Sequence, residues 1–246
     1  MKKLRNLIII LLIFLFGLSF YKKEEKLEGL TIYSNFWESV ILNHRSGKIL
    51  RTGKIISHDT FDLNGDGTME FGMICRKFRR GGVVKILTLD HYMTEVFSKD
   101  LGEIRPWKIE FGDVTGDGKG EIALGIVKKT PLHPEMEKRC FFYNLDFQRK
   151  KFIPRYRASR FSRPFTDYAL YDLTKDGQCE VIAIEKTENE KNILAAYRWH
   201  GFGFFLEYEG MENQRLVEMK KDKGDLFVDG EKIILHKNKI ERKGEE

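Results

Sequence analysis

The sequence has few cysteines and few prolines, and these shortages exclude two classes of protein. Its 246 residues contain three cysteines and five prolines, whereas aromatic residues make up 13% of the chain. An odd number of irregularly spaced cysteines is not a disulfide framework, and abundant aromatic residues exclude a disordered chain. Cys75 and Cys140 lie in apolar runs and are expected to be small core residues, with a single disulfide bridge left open.

The sequence also has little excess charge of either sign. Lys and Arg number 43 against 37 Asp and Glu. Three of the basic residues lie in the first five positions, so the chain after residue 19 carries 40 basic and 37 acidic residues. So small a surplus does not indicate a nucleic-acid-binding protein.

Long apolar runs are absent from the sequence outside its N-terminus. There, a cationic start precedes ten apolar residues, 7–16, and the run extends to Tyr21. This length suits a signal-peptide core and is short of the roughly 20 residues of a membrane-spanning helix. We predict that residues 1–21 form a helical signal peptide or membrane anchor and that residues 22–29 are a charged linker. The remainder is then expected to lie outside the cytoplasm, anchored to the membrane or secreted.

What the chain does contain is three copies of a nine-residue pattern, D-x-[N/T]-x-D-G-x-x-E. Loop one is residues 62–70, loop two is 113–121 and loop three is 172–180, at intervals of 51 and 59 residues. Three copies in one register indicate an internal repeat, of the kind found in solenoids and propellers. Short apolar runs flank each copy, so we expect each loop to join two strands.

The three loops have the composition of a calcium site. Calcium takes six to eight oxygen ligands at about 2.3–2.6 Å. Side-chain oxygens at the first, third, fifth and ninth positions and a backbone carbonyl at the seventh are expected to converge on one ion, and the sixth-position glycine permits positive φ. A metal caged in this way is structural, because catalytic metals keep an open position. The predicted ligands are Asp62, Asn64, Asp66, Thr68, Glu70, Asp113, Thr115, Asp117, Lys119, Glu121, Asp172, Thr174, Asp176, Gln178 and Glu180.

A second interpretation of the loops needs no metal. Asp, Asn and Gly are common in β-turns, where side-chain oxygens accept hydrogen bonds from backbone amides. Three carboxylates in each loop favour the calcium interpretation, since an empty loop brings like charges together.

The loops and their flanking strands resemble the FG-GAP (VCBS-type) repeats of bacterial surface proteins and of the N-terminal β-propeller of integrin α subunits. Phe111-Gly112-Asp113 contains the Phe-Gly of the repeat's name, and the resemblance covers residues 55 to 210. It implies that the loops bind calcium within propeller blades. Threonine stands at the third position of loops two and three, and Lys175 adds a positive charge to loop three. Loop one therefore ranks as the strongest calcium site, loop two as the next and loop three as the weakest.

The predicted fold is all-β, a small propeller of about four blades over residues 30–246, each blade a four-stranded antiparallel sheet. Three blades contain the loops. The fourth is expected to combine strands from residues 30–54 with strands from residues 215–240. Such sharing would close the ring and remove exposed sheet edges.

One stretch of the sequence is strongly basic. Residues 149–163 contain seven basic side chains, no acidic one and three interleaved aromatic residues, Phe152, Tyr156 and Phe161. Such a segment can hold an anionic glycan, a lipid headgroup or a nucleic acid by charge and stacking. The alternative is a solvated edge strand whose aromatic residues point inward. The basic residues of this candidate anionic-ligand patch are Arg149, Lys150, Lys151, Arg155, Arg157, Arg160 and Arg163.

Together these features predict an exported or membrane-anchored, calcium-binding β-propeller that acts as a binding or scaffold module at the cell envelope. Its expected partner is a protein or glycan at the cell surface and not a nucleic acid. The alternative is a propeller-type hydrolase or lyase that acts on an extracellular polymer, since fold does not decide function. The six histidines have no zinc spacing and no G-x-S-x-G elbow occurs, which favours the non-catalytic interpretation.

Overall fold

The computed structural model describes residues 23–27, 29–77, 81–102, 104–158, 160–212, 216–222 and 224–243. All regular elements within these ranges are β-strands, which confirms the predicted all-β class. The predicted targeting segment, residues 1–21, and its helix lie outside the described residues. In the part of the chain that is described, no helix has the length and apolarity needed to cross a membrane.

Twenty strands within the described residues form four sheets. They divide into five units of four strands each, in chain order. Unit 1 contains β1 (Lys23–Leu27), β2 (Leu30–Ser34), β3 (Glu38–Asn43) and β4 (Ile49–Gly53). Unit 2 contains β5 (Ile55–Phe61), β6 (Glu70–Arg76), β7 (Gly82–Thr88) and β8 (Glu95–Asp100). Unit 3 contains β9 (Arg105–Gly112), β10 (Glu121–Lys128), β11 (Glu137–Asp146) and β12 (Lys151–Ala158).

The fourth sheet has eight strands because it joins the last two units. Unit 4 contains β13 (Phe165–Tyr171), β14 (Glu180–Lys186), β15 (Asn192–Trp199) and β16 (Phe204–Gly210). Unit 5 contains β17 (Met219–Asp222), β18 (Asp225–Val228), β19 (Glu231–His236) and β20 (Lys239–Arg242). Every unit is an antiparallel meander, and units 4 and 5 meet through a short parallel pairing of β16 with β20.

The apolar core is divided among the interfaces between successive units. Four clusters of buried side chains join unit 1 to 2, 2 to 3, 3 to 4 and 4 to 5. The second strands β6, β10 and β14 are buried along most of their length, which explains their nearly continuous apolar sequences. Contact between units is close: a Cβ added to Gly72 would lie 2.1 Å from Cζ of Phe111, so only glycine fits beneath this ring. The three cysteines are buried and free.

Polar contacts link the first strands of successive units. Phe111 N donates to Asp59 Oδ2 at 2.7 Å, which joins β9 to β5. Lys108 Nζ donates to Asp167 Oδ1 at 2.8 Å, and Met219 N donates to Asp167 Oδ2 at 2.7 Å, so that β9, β13 and β17 are connected in turn. An aspartate therefore holds the backbone of the next first strand in two of these links, and the link between β9 and β13 joins two side chains.

The last unit reaches back to the earlier ones through two lysines. Lys221 Nζ contacts Asp59 and lies 2.9 Å from Glu110 Oε2. Burial opposes the charge of Lys221, but the two carboxylates outweigh it and raise the pKa of the ammonium group. Lys220 Nζ lies 3.8 Å from Glu25 Oε1 on β1. The first strand of unit 5 is therefore also in contact with the first strand of unit 1.

Two predictions about the ends of the chain are corrected. The predicted linker, residues 22–29, contains strand β1, whose charged residues pair with β2 over the register Lys23–Ser34 to Leu27–Leu30. The prediction that both ends share one unit is wrong, because each end completes a four-stranded unit of its own. The strands predicted within residues 30–54 and 215–240 are present, and they include the antiparallel pairs β3–β4 and β18–β19.

Candidate metal centre

The three loops lie in equivalent places and beside one another. They join the first to the second strand of units 2, 3 and 4, as the sequence predicts. Gly120 N donates to Leu63 O at 3.3 Å, which links loop two to loop one. Cys179 N donates to Asp113 O at 2.7 Å, which links loop three to loop two. Units 1 and 5 have tight connections at the same place, so the repeat is visible only three times in the sequence.

The first aspartate holds the turn in each loop. Through Oδ2 it accepts a hydrogen bond from the sixth-position glycine N, at 2.7, 2.7 and 3.0 Å for Asp62, Asp113 and Asp172. The three glycines have φ of 85°, 82° and 91°. Side chains with a Cβ rarely adopt this conformation, and the predicted positive φ is confirmed.

In every loop the side chain at the fifth position accepts a hydrogen bond from the backbone amide of the seventh. The aspartate Oδ1 accepts from the seventh-position N at 2.7, 3.0 and 3.0 Å in loops one, two and three. In loop one this bond, with help from Asn64, lowers the pKa of Asp66. Asp62 and Asp66 form no ion pair with any described side chain. Within the described residues, loop one therefore carries negative charge that no ion pair offsets.

The ninth-position glutamate of loop one is buried and only half satisfied. Glu70 is 0% exposed, and its Oε2 accepts from Leu63 N at 2.8 Å. Its Oε1 is also buried but has no hydrogen-bond partner among the described residues. Burial, reinforced by the charges of Asp66 and Asp62, raises the pKa of Glu70 to about 7. A buried oxygen without a donor is costly, and a bound cation would remove that cost.

The hydrogen bonds that the glutamate of loop two accepts within the described residues come from neutral groups. Glu121 Oε2 accepts from Val114 N at 3.1 Å, as in loop one. Its Oε1 accepts from Asn144 Nδ2 at 3.0 Å and from Thr115 Oγ1 at 3.3 Å. Arg155 Nε stands 3.9 Å from the same oxygen and is partly exposed. Burial still raises the pKa of Glu121, although the Asn144 hydrogen bond opposes the shift.

Loop three contains a cation supplied by the protein. Arg198 Nη1 donates to Glu180 Oε1 at 2.8 Å and to Thr174 Oγ1 at 3.3 Å. Arg198 Nη2 donates to Gln178 Oε1 at 2.8 Å and to Asp176 Oδ2. The guanidinium group thus contacts four positions that the sequence predicts as calcium ligands.

The three ninth-position glutamates have different hydrogen-bond partners because a different residue lies opposite each of them on the third strand of its unit. Thr88 pairs directly with Glu70 across β6 and β7. Asn144 and Arg198 hold the equivalent place opposite Glu121 and Glu180, one residue beyond the pairs Ile122–Tyr143 and Val181–Tyr197. Sequence reasoning missed this position, since the partners are 18 residues apart in loop three and 23 in loop two.

The ammonium group of Lys175, which is expected to weaken loop three as a calcium site, contacts Tyr171. Its Nζ donates to Tyr171 Oη at 2.9 Å and lies 4.3 Å from the centre of that ring. Lys175 still interacts electrostatically with Asp172, but the cation that contacts the predicted ligands of loop three is Arg198.

The donor sets of the loops fit calcium unequally. Among the described residues, no group of three or more His, Cys, Asp and Glu side chains is placed to hold a metal ion. Among the described residues, loop one nevertheless has the chemistry that a hard cation requires, namely carboxylates without an ion pair and the buried Glu70 Oε1 without a hydrogen-bond donor. Loop three does not fit, because its oxygens already bind a guanidinium group. Loop two is intermediate in its fit to calcium, because Glu121 accepts hydrogen bonds from neutral donors and lies 3.9 Å from Arg155.

The basic side chains of residues 149–163 differ in their exposure and in their ion pairs. Phe152 stacks on Tyr143 and Phe97, and the two other aromatic residues of the stretch also pack against neighbouring rings. Arg160 donates to Glu137 and Arg163 to Glu185 and Glu209, so neither is a free cation. Two exposed arginines form longer ion pairs, Arg149 with Asp146 at 3.5 Å and Arg155 with Glu121 at 3.9 Å. The exposed basic side chains are Arg149, Lys150, Lys151, Arg155 and Arg157.

Two cavities accompany these features. One of about 420 Å³ adjoins loop one and is lined by Gly67, Thr68 and Met69 together with Arg45 of unit 1. The other, of about 590 Å³, lies along the first strands and is lined by charged side chains of β1, β5, β9 and β17.

No protein-family model matches the chain, and no curated protein matches it.

Proposed function

We propose that the protein is an exported or membrane-anchored, calcium-binding β-propeller that serves as a binding or scaffold module at the cell envelope. The observation that carries the calcium assignment is Glu70 Oε1, a buried carboxylate oxygen without a partner among the described residues, in a group on which the charges of Asp66 and Asp62 also act. The resemblance of the loops to FG-GAP repeats supports the same assignment.

The propeller is proposed to have five blades, one for each unit, where the sequence alone suggested about four. Three features support it: the repeated four-stranded meander, the apolar clusters between successive units, and the polar contacts among first strands that return to β1. In this arrangement β1, β5, β9, β13 and β17 are the innermost strands. Closing the ring leaves only short, protected edges.

Calcium is proposed to act structurally, in loop one first and loop two second. Binding to the folded state alone stabilises it by about 2.7 kcal/mol at a hundredfold excess of ligand over Kd. For a domain of this size that corresponds to a rise in melting temperature of roughly 5 to 10 °C. Thermal unfolding in chelator, in millimolar calcium and in millimolar magnesium tests the proposal. Equal melting temperatures in chelator and calcium would show that the loops bind no calcium.

The cell-envelope location rests on the apolar segment within residues 1–21, and millimolar external calcium fills even weak sites. The partner is proposed to be a protein or an anionic glycan at the cell surface, in keeping with the exposed basic side chains of β12 and its preceding turn. Protease added to intact cells should digest the protein, and the purified protein should retain cell-surface material in calcium. Protection from protease until the cells are lysed would contradict the location.

A further inference from the structure

Arg198 meets loop three at the positions where a metal ion would be held. Its two terminal nitrogens donate to side-chain oxygens at the third, fifth, seventh and ninth positions of the loop. A guanidinium group is planar, always charged and rich in donors, so it can serve several oxygens at once. A calcium ion in the same place would be repelled by this charge and would find its ligands engaged.

The other loops lack this group. In loop one the equivalent residue is Thr88, whose hydroxyl donates to Thr94 O at 3.5 Å and leaves Glu70 Oε1 without a partner. In loop two it is Asn144, which satisfies Glu121 without supplying charge. The residue at this position therefore supplies no donor to the glutamate of loop one, a neutral donor in loop two and a cation in loop three. Loop two has a cation only farther away, since Arg155 Nε lies 3.9 Å from Glu121 Oε1, beyond hydrogen-bond distance.

We propose that Arg198 is the built-in cation of loop three, so that this loop closes without metal and binds none. The proposal goes beyond calcium binding by loops one and two, and its first test does not depend on that binding. Glu180 is 0% exposed, and removing the charge opposite a buried carboxylate is strongly destabilising.

The first test measures melting temperature in chelator for the full-length protein. Arg198→Thr, which copies Thr88, should lower it by about 5 to 10 °C. Arg198→Lys should lose less, because the charge remains. The control is Arg157→Thr, an exposed residue of β12, which should change it by less than about 2 °C. If Arg198→Thr has the same melting temperature in chelator as the wild type, the proposal is overturned.

The second test counts bound calcium and needs no change at Arg198. Equilibrium dialysis with metal analysis should give the same number of ions for the wild type and for Asp176→Asn, because loop three holds none. A loss of one ion in Asp176→Asn would overturn the proposal. If the wild type binds no calcium at all, the calcium assignment of loops one and two fails, and the melting temperatures in chelator still decide the role of Arg198.

Discussion

Loops one and three have the same sequence pattern and the same turn, but they differ in the group that faces the ninth-position glutamate. Both hold the turn with the first aspartate and bury the ninth-position glutamate. Glu180 faces Arg198 at 2.8 Å, whereas Glu70 Oε1 faces no donor among the described residues. On the proposed calcium assignment, the nine residues of a loop therefore do not decide alone whether it binds a metal. A residue on the third strand, opposite the glutamate, decides it as well.

The largest expected effect comes from neutralising the glutamate of loop three. Glu180→Gln removes the buried partner of Arg198 and should lower the free energy of unfolding by about 3 kcal/mol. The loss should be the same in chelator and in calcium, because no metal is involved. Urea unfolding in both conditions measures it, with the exposed Glu188→Gln as the matched control. A loss confined to chelator would mean that calcium replaces the lost pair.

The same substitution in loop one should have the opposite sign. Glu70→Gln removes a buried charge and should raise the free energy of unfolding in chelator at pH 8 by about 2 kcal/mol. It should also reduce the stabilisation by calcium, because the closing ligand is lost. Urea unfolding with and without calcium gives both quantities. Destabilisation in chelator would indicate that Glu70 has a favourable partner when no metal is bound.

The pKa of Glu70 sets a pH window for that difference. The folded pKa is raised from 4.5 to about 7, so the folded protein holds a proton that the unfolded chain has released. In chelator the wild type should lose stability relative to Glu70→Gln as pH rises from 4.5 to 7, with no further change above 7. Melting temperatures of the two proteins across this range test the sign. A constant difference would refute the raised pKa.

Loop two should give the smallest effect. Glu121→Gln leaves a side chain whose oxygen can still accept from Val114 N, although the amide then meets that of Asn144. The buried charge that disappears and the hydrogen bond that weakens oppose each other, so the change in chelator should stay within about 1 kcal/mol. A loss of unfolding free energy as large as that of Glu180→Gln would mean that Glu121, like Glu180, depends on a charged partner.

Much of the fold follows from local signals in the sequence. The loops, their positive-φ glycines and the buried second strands were predicted from residue types and spacing. The turn at Asp229-Gly230 has an equally local cause, since Asp-Gly favours the positive φ angles of 50° and 88° that it adopts. These features depend on neighbouring residues, which a single sequence displays directly.

The rest depends on register between distant segments. Strand β1 was missed because Lys23–Leu27 is mostly charged and has low strand propensity, and only its pairing with β2 overrides that preference. Arg198 was missed for the same kind of reason, since its place opposite Glu180 follows from the length of the β14–β15 hairpin. The link from Lys221 to Asp59 spans 162 residues and carries no local signal.

The difference between loops one and three is tested most directly by the calcium-dependent shift in melting temperature of two matched variants. Asp66→Asn and Asp176→Asn change the same position of the two loops and keep the oxygen that accepts the seventh-position amide. We expect Asp66→Asn to reduce the shift between chelator and millimolar calcium, and Asp176→Asn to leave it equal to that of the wild type. Equal reductions in the two variants, or a shift that only Asp176→Asn removes, would contradict the account.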